Sequence, residues 1–433
     1  MRIYVSSLGC KLNQSEMDAL AMRLAQKGHQ VVATPAEADL CVLNTCTVTH
    51  VAAQKSRQAL RRLHRDNPQA RLIATGCYAE LDPDDLRGLP GVELVAGNRE
   101  KERLEGRIAA GASGGQIAGV LPFPPLTIPR RRTRALVKIQ DGCDNACTYC
   151  IIHVARGPQR SRPADEIVAE VQARLAAGHQ EIVLTGVHIG AYGRDRLDRS
   201  AGRDLWTLVR RILAETDVPR LRLSSIEPWD LTEQAFSLWH DPRLCRHLHL
   251  PLQSGCDATL RRMARRYTAA EFGALVAAAR AAIPDLAVTT DLIVGFPGET
   301  DHEFAESQTF VQAQSFARLH VFPFSLRPGT LAAQMPGQVP PPVKAGRARL
   351  MRAAGTASAR AFQRNFVGRT LDVLWESSRQ DHQGTVWSGL TDNYLRVHLH
   401  TPVDLANTLS PVRLIGLTQD GLQGELQTPK SGG

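Results

Sequence analysis

Nine cysteines occur in the 433 residues, and six of them stand where chemistry is a natural reading. The tightest group is Cys143-Asp-Asn-Ala-Cys147-Thr-Tyr-Cys150, a C-x3-C-x2-C loop. Three thiolates on so short a loop suit a cubane iron–sulfur cluster, which favours soft sulfur ligands. Only three local sulfurs leave one iron open to a substrate or cofactor. A structural zinc site would want a fourth ligand, for which His153 is a local candidate. Cys10, Cys46 and Cys77 lie far apart, yet each directly follows an apolar run: Val5-Ser-Ser-Leu-Gly9, Val42-Leu43-Asn44-Thr45 and Ile73-Ala-Thr-Gly76. By themselves they are read equally well as buried core thiols. Cys41, Cys245 and Cys256 are read as structural.

The elements that would position these residues follow from periodicity. Up to about Arg107, short apolar runs (Ile3–Leu8, Leu40–Asn44, Leu72–Thr75, Val92–Ala96) alternate with amphipathic stretches near Ser15–Gln26 and Ala52–His64, the rhythm of a parallel α/β sheet. Parallel strands present their C-terminal ends on one edge, so Cys10, Cys46 and Cys77 could converge there. Gly9 and Gly76 would let the backbone turn closely around a bulky ligand. Between about Thr133 and Ser358 six strands are expected: Ala135–Gln140, Glu181–Thr185, Arg220–Ser225, His247–Leu252, Ala287–Val294 and Arg318–Phe324. Helical stretches between most of them predict a partial (β/α) barrel, with the Cys143 loop after its first strand.

A linker divides these segments: Ala109–Gly119 is rich in Gly and Ala, and Leu121–Pro129 contains four prolines. Pro336–Pro342 precedes a basic helical stretch, Lys344–Gln363. From Val367 onward, short strands at Thr370–Trp375, Gly384–Leu390 and Tyr394–Leu399 predict a small β-barrel. The expected fold class is therefore α/β with three units: an N-terminal parallel-sheet domain over 1–112, a six-repeat core over 129–358 and a C-terminal barrel over 363–430.

Charge narrows the partners. Lys and Arg number 52 against 43 Asp and Glu, a net charge of +9, which favours a polyanion such as nucleic acid. Few cysteines, odd in number and without an export signal, suggest metal or redox ligands in a reducing cytoplasm. No apolar run approaches the roughly 20 residues of a membrane span. Basic clusters occur at Arg57–Arg65, Arg130–Arg134, Arg156–Arg162, Arg261–Arg266 and Lys344–Arg352. The run Arg156-Gly-Pro-Gln-Arg160-Ser-Arg162 is expected to grip phosphates beside the cluster loop. Trp375, Trp387, Tyr394 and Arg396 suit splayed bases on an RNA-binding barrel, with core packing an equal account of the tryptophans.

The Cys143 loop, with aromatic Tyr149 before its last cysteine, resembles that of the radical S-adenosylmethionine (SAM) enzymes. The surrounding text is more specific: Leu8-Gly-Cys-Lys-Leu-Asn-Gln14, Asn44-Thr-Cys-Thr-Val48, Ala74-Thr-Gly-Cys-Tyr78, Ile139-Gln-Asp-Gly-Cys143, Ala155-Arg-Gly157, Gln253-Ser-Gly255 and Gly295-Phe-Pro-Gly-Glu-Thr300. Together these resemble the methylthiotransferases across nearly the whole chain, including a TRAM-type barrel. The segments Gly9–Gln14 and Asn44–Thr49 are most similar to the branch acting on threonylcarbamoyladenosine in tRNA. His153 departs from the pattern, which would have proline after the Ile-Ile pair, but it lies outside the three ligands.

The resemblance implies that Cys143, Cys147 and Cys150 hold a 4Fe–4S cluster whose open iron binds SAM. Reductive cleavage would yield a 5′-deoxyadenosyl radical able to activate the adenine C2–H, beyond the reach of ordinary acid–base catalysis. Cys10, Cys46 and Cys77 would hold an auxiliary 4Fe–4S cluster carrying the sulfur to be methylated. SAM would lie along the strand ends, near Tyr149, Gly186, Gly190, Glu227, Gln253 and Gly295. The implied partners are the tRNA anticodon loop and an electron donor such as flavodoxin or ferredoxin. Competing readings are methylthiolation of isopentenyladenosine or of a ribosomal protein, and a non-enzymatic iron–sulfur or zinc-stabilised RNA binder.

Overall fold

The computed structural model describes residues 1–110, 133–195, 204–382 and 384–427. Apart from residues 109 and 110, which end the helix Leu104–Ala110, the linker lies outside the described residues, as do the unit bounds drawn at 112, 129 and 430 and the cations Arg130–Arg132.

The N-terminal unit is a parallel sheet of β1 (Arg2–Ser7), β2 (Gln30–Val31), β3 (Leu40–Thr45), β4 (Arg71–Gly76) and β5 (Val92–Ala96), in the order β2-β1-β3-β4-β5. Every residue of central β3 is buried. Leu40 and Val42 pack with Met17, Leu20 and Leu24 of the helix Lys11–Gln26, whereas Cys41 and Leu43 pack with Ala53, Leu60 and Leu63 of His50–Asp66. An apolar strand without alternation is what two covered faces require. The strand order reverses between β1 and β3, and such a reversal opens a crevice at the C-terminal strand ends. Cys10 and Cys46 sit there.

The core strands are β6 (Arg134–Lys138), β7 (Glu181–Thr185), β8 (Arg220–Leu223), β9 (His247–His249), β10 (Ala287–Val294) and β11 (Arg318–Pro323). They form two parallel three-stranded sheets, β8-β7-β6 and β9-β10-β11, joined by the bridges Leu221↔Leu244 and Ser225↔His249. The six strands make the partial barrel expected from the sequence. Capping boxes start two of its helices: Thr268 with Glu271 before Ala269–Ala282, and Thr300 with Glu303 before Asp301–Ala313. The N-terminal helix Lys11–Gln26 packs on β6, and the helix Pro341–Arg364 packs along β11.

The C-terminal strands β12 (Thr370–Asp381), β13 (Gly384–Thr391), β14 (Arg396–His400), β15 (Leu409–Leu417) and β16 (Leu422–Leu426) close into a barrel, in the order β12-β13-β14-β16-β15. It docks on the N-terminal ends of the core strands. Arg222, fully buried against Glu181 at 2.7 Å, donates to the Asp392 carbonyl, and Arg220 donates to the Leu390 carbonyl at 2.9 Å. Arg246 pairs with Asp392 at 2.6 Å. This docking corrects the expected base-stacking role of the aromatics. Trp375 and Trp387 lie inside the barrel, Trp375 donating from Nε1 to Ser410 Oγ at 2.7 Å. Tyr394 stacks on His247 at 4.7 Å, lies under Arg222 at 4.5 Å and accepts from Arg134. No face of these rings is left for a base.

Candidate cluster and substrate site

Each cysteine of the scattered trio is set by a strand end. Cys10 caps the N-terminus of Lys11–Gln26 in extended backbone, Cys46 directly follows β3, and Cys77 opens the short helix after β4. The turns demand glycine. Gly76 has φ +102°, and a Cβ there would lie 2.1 Å from Asn44 Oδ1 and 2.5 Å from the Thr45 carbonyl. A Cβ on Gly9, at φ +94°, would meet Cys46 Sγ at 2.7 Å. The loops are tied together by Asn13, which donates to the carbonyls of Leu8 and Thr45. Asn98 donates to Cys77 Sγ at 3.7 Å and to the Ala155 carbonyl of the core. Cys10 opens to solvent, whereas Cys46 and Cys77 are buried. Burial pushes the Cys46 thiol up to about 11.

The Cys143 loop lies past the end of β6. Its backbone is held by the Cys143 N–H on the Gly157 carbonyl and the Cys150 N–H on the Cys147 carbonyl. The Asn145 N–H donates to Cys143 Sγ at 3.4 Å, and Arg265 donates to Cys147 Sγ at 3.6 Å. Burial raises the Cys147 thiol, against the pull of Arg265, and pushes Cys150 up to about 12. All six thiols are free.

Cys46, Cys147 and Cys150, hard to ionise where they lie, need a strongly bound cationic centre to become thiolates, and N–H donors aimed at sulfur suit the thiolate form. A single zinc at about 2.3 Å from each sulfur would gather its ligands within about 3.8 Å of one another. Among the described residues neither trio forms so close a group. A multi-iron centre, which spreads its sulfur ligands farther apart than one ion does, suits three-thiol groups of this openness better.

The residues expected to hold SAM sit around the same strand ends. Tyr149 meets Phe296 edge-on at 6.4 Å, with Met263 and Phe324 in the same apolar cluster. Gly186 follows β7, where a Cβ would press on the Gln140 carbonyl at 2.9 Å, and a Cβ on Gly190 would strike Asp230 at 2.5 Å. Glu227 is ion-paired with Arg265. Gln253, at φ 66°, ties its backbone to Asp291 and Ile293 of β10. Gly295 donates to Glu299 at 2.6 Å and abuts Lys344.

Two groups escaped the sequence reading. Arg265 links Glu227 to Cys147 while lying over the rings of Trp229 and Tyr267. His188 lies 4.0 Å from Cys143 Sγ and bonds Asp230 through Nε2 at 2.5 Å. Burial opposes its charging, but the bonds to Asp230 and Cys143 outweigh that and raise it to about 9. Arg265 lies within the basic cluster Arg261–Arg266, read for nucleic acid, and His188 between Gly186 and Gly190; only the fold brings them to the cysteines.

Arg156 requires a correction. It does not face phosphate: its side chain is 1% exposed and pairs with Glu16 and Asp141, each at 2.9 Å, while also donating to Asn13. Lys101 pairs with Glu16 at 2.6 Å, and Lys138 with Glu16 at 3.1 Å and Asp141 at 2.7 Å. Arg162 is taken up by Glu170 at 2.7 Å. The basic run is mostly an internal knot joining the N-terminal sheet to the core. Burial resists the charge on Glu16, yet Arg156, Lys101 and Lys138 hold its carboxyl well below the usual range.

A cavity of about 330 Å³ runs from Cys10 and Lys11 past Gly186, Ser224 and Ser225 to Tyr394. His188, two residues beyond Gly186, touches Cys143. A sulfur-bearing strand end of the N-terminal sheet and the strand ends of the core therefore open on one space.

Residues 137–311 match the model of the radical SAM superfamily, and residues 2–97 match that of the "uncharacterized protein family UPF0004". A radical SAM methyltransferase, TsrM from Kitasatospora setae, solved with cobalamin and a 4Fe–4S cluster, shares the fold. Its TM-score is 0.56 at 16% identity, over 77% of each chain. Among curated relatives, the threonylcarbamoyladenosine tRNA methylthiotransferase MtaB of Bacillus subtilis is 37% identical over 94% of this chain and 92% of its own. The tRNA-2-methylthio-N(6)-dimethylallyladenosine synthase of Novosphingobium aromaticivorans is 35% identical over 98% of this chain and 96% of its own. The core is thus of the radical SAM class. The chain belongs to the radical SAM tRNA methylthiotransferase family, whose members use SAM and two 4Fe–4S clusters. Among the described residues no helix is long and apolar enough to cross a membrane.

Proposed function

We propose that the protein converts N6-threonylcarbamoyladenosine beside the tRNA anticodon to its 2-methylthio derivative, in the cytoplasm. The observation that carries this reading is the cavity between the cysteine-bearing strand ends, whose lining includes Lys11, Ser224, His249, Asp291, Arg318 and His320. Such a lining suits a polar threonylcarbamoyl group and would leave donors and a carboxylate unpaired against a dimethylallyl group. MtaB-named relatives from Bacillus subtilis and Thermotoga maritima support the same choice.

Cys143, Cys147 and Cys150 would hold the SAM-binding cluster, and Cys10, Cys46 and Cys77 the auxiliary one. When bound, the first supplies the electron that cleaves SAM and the second the sulfur that is transferred. The chain's own residues hold and orient. Glu227, fixed by Arg265, offers an acceptor to the ammonium or ribose of SAM, and the glycines after β7 and β10 let the cofactor approach the backbone. Tyr149 offers its ring to the adenine. The Arg156–Glu16 knot keeps the two trios at a fixed separation. Residues 1–112, 129–358 and 363–430 act as auxiliary-cluster, radical and RNA-binding units. With the barrel aromatics internal, RNA contact falls to exposed cations such as Arg379 and Arg413. A flavodoxin or ferredoxin supplies electrons.

The test is nucleoside mass spectrometry of tRNA from a host lacking its own enzyme, with and without this gene. Methylthio-threonylcarbamoyladenosine that disappears with Cys143→Ala is the expected result. Methylthio-isopentenyladenosine in its place overturns the substrate, and no new nucleoside from soluble brown protein overturns tRNA as the target.

A further inference from the structure

We infer that the cavity inside the open barrel reads the free carboxylate of the substrate's threonyl group through Lys11 and Arg318. The inference rests on the substrate proposed above and adds the residues that recognise it.

At about 330 Å³ the cavity is at the small end of ligand pockets, which span about 300–1,000 Å³. Lys11 enters it from the residue after Cys10, and Arg318 from the first position of β11. Among the described residues neither cation makes a hydrogen bond or ion pair. The other arginines of the core strands behave differently: Arg134, Arg220 and Arg222 are all spent on the barrel or on Glu181. The fields of Lys11 and Arg318 both act on His320, so the two charges overlap in one space.

The rest of the lining points to a polar occupant. Ser224 is 6% exposed and its hydroxyl has no partner; His247 is 3% exposed and its Nδ1 has none. A buried hydroxyl left unpaired costs free energy that a bound polar group recovers. Asp291 is the cavity's single carboxylate, 3.4 Å from His249 Nε2, and these two with His320 lie within 4.8 Å of one another. Two cations against one carboxylate leave the cavity positive. A threonylcarbamoyl group complements this set: its carboxylate answers Lys11 and Arg318, and its urea N–H or hydroxyl answers Asp291. Charge-assisted bonds of this kind are the strong ones, and Arg takes a carboxylate in two parallel bonds.

The test measures binding of the reconstituted holoenzyme to anticodon stem–loops by fluorescence anisotropy. The loops carry threonylcarbamoyladenosine, its carboxyl methyl ester or dimethylallyladenosine. The wild-type protein should bind the free acid about tenfold or more tightly than the ester. Arg318→Gln and Lys11→Gln should each lower that ratio, and the double variant should bring it near one. The ratio is the readout, because partial misfolding weakens both ligands alike. A ratio unchanged in the double variant overturns the residue assignment. Tighter wild-type binding of the dimethylallyl loop overturns the substrate reading and this inference with it.

Discussion

Glu16→Gln should be the most damaging conservative change in the knot between the N-terminal sheet and the core. Glu16 is 7% exposed and faces Arg156, Lys101 and Lys138, whose side chains are 1%, 8% and 19% exposed. The wild-type knot sets three cations against two carboxylates. Removing Glu16 leaves the same three cations on Asp141 alone. Breaking a buried pair by deleting one partner costs about 3–5 kcal/mol, and this case leaves two excess charges. Arg156→Met leaves two lysines against two carboxylates, and its cost should be nearer the about 1.5–3 kcal/mol of lost charged hydrogen bonds. The double variant should be no worse than Glu16→Gln, because removing Arg156 then relieves repulsion. Burial already holds the Lys101 ammonium below its ordinary range despite Glu16. Without Glu16 it sheds its proton more easily, so the loss should shrink as pH rises from 7 to 9.5. The assay is hydrogen exchange along Lys11–Gln26, where about 4 kcal/mol lowers protection roughly a thousandfold. Wild-type protection in Glu16→Gln, or equal damage from Arg156→Met, would refute the charge argument.

Other expectations concern the clusters, SAM and the barrel. Cys77→Ala, reconstituted anaerobically, should retain about half the wild-type iron, since each trio binds independently; loss of nearly all of it would show the sites to be interdependent. Arg265→Met should weaken SAM binding about tenfold to a hundredfold by leaving Glu227 unfixed, as read by calorimetry; an unchanged affinity would remove Glu227 and Arg265 from the SAM site. Burial disfavours the charge on Asp392, but its bond to Arg246 holds the carboxyl below the ordinary range. That contribution is full above about pH 4 and is lost as pH falls through the lowered value. Protection of Gly384–Thr391, measured against the intrinsic exchange rate at each pH, should fall at pH 3.5 in the wild type and respond less in Asp392→Asn; identical acid responses would exclude this pair.

Much of the frame was legible because parallel strands buried on both faces announce themselves as unbroken apolar runs. All six core strands fall within a few residues of their expected bounds, and Ala287–Val294 matches at both ends. Cys10, Cys46 and Cys77 could be placed because each closes such a run, and the Cys143 loop because it follows the first core strand. Short or broken signals were missed. Gln30–Val31 is only two residues long, and Leu409–Leu417 contains Pro411 and Gly416, both marks of a loop. The helix expected from Ser15 starts at Lys11, since its polar first turn faces the cysteine loops instead of an apolar layer. Arg156 shows the deeper limit. A cation's role depends on its partner, and Glu16 lies 140 residues away. Tyr394 likewise looked available for RNA until the core supplied His247 and Arg222 to enclose it.

That enclosure bears on how such a protein can change over generations. Tyr394 is the keystone by which the small barrel locks onto the core, and it is also a wall of the cavity that opens on Cys10. The barrel is therefore not an appendage to be traded among relatives like a handle. A chimera carrying a foreign one would inherit a reshaped cavity along with the new barrel surface. On the function proposed above, preference for a nucleoside and preference for the RNA around it would drift together, hinged on a single ring.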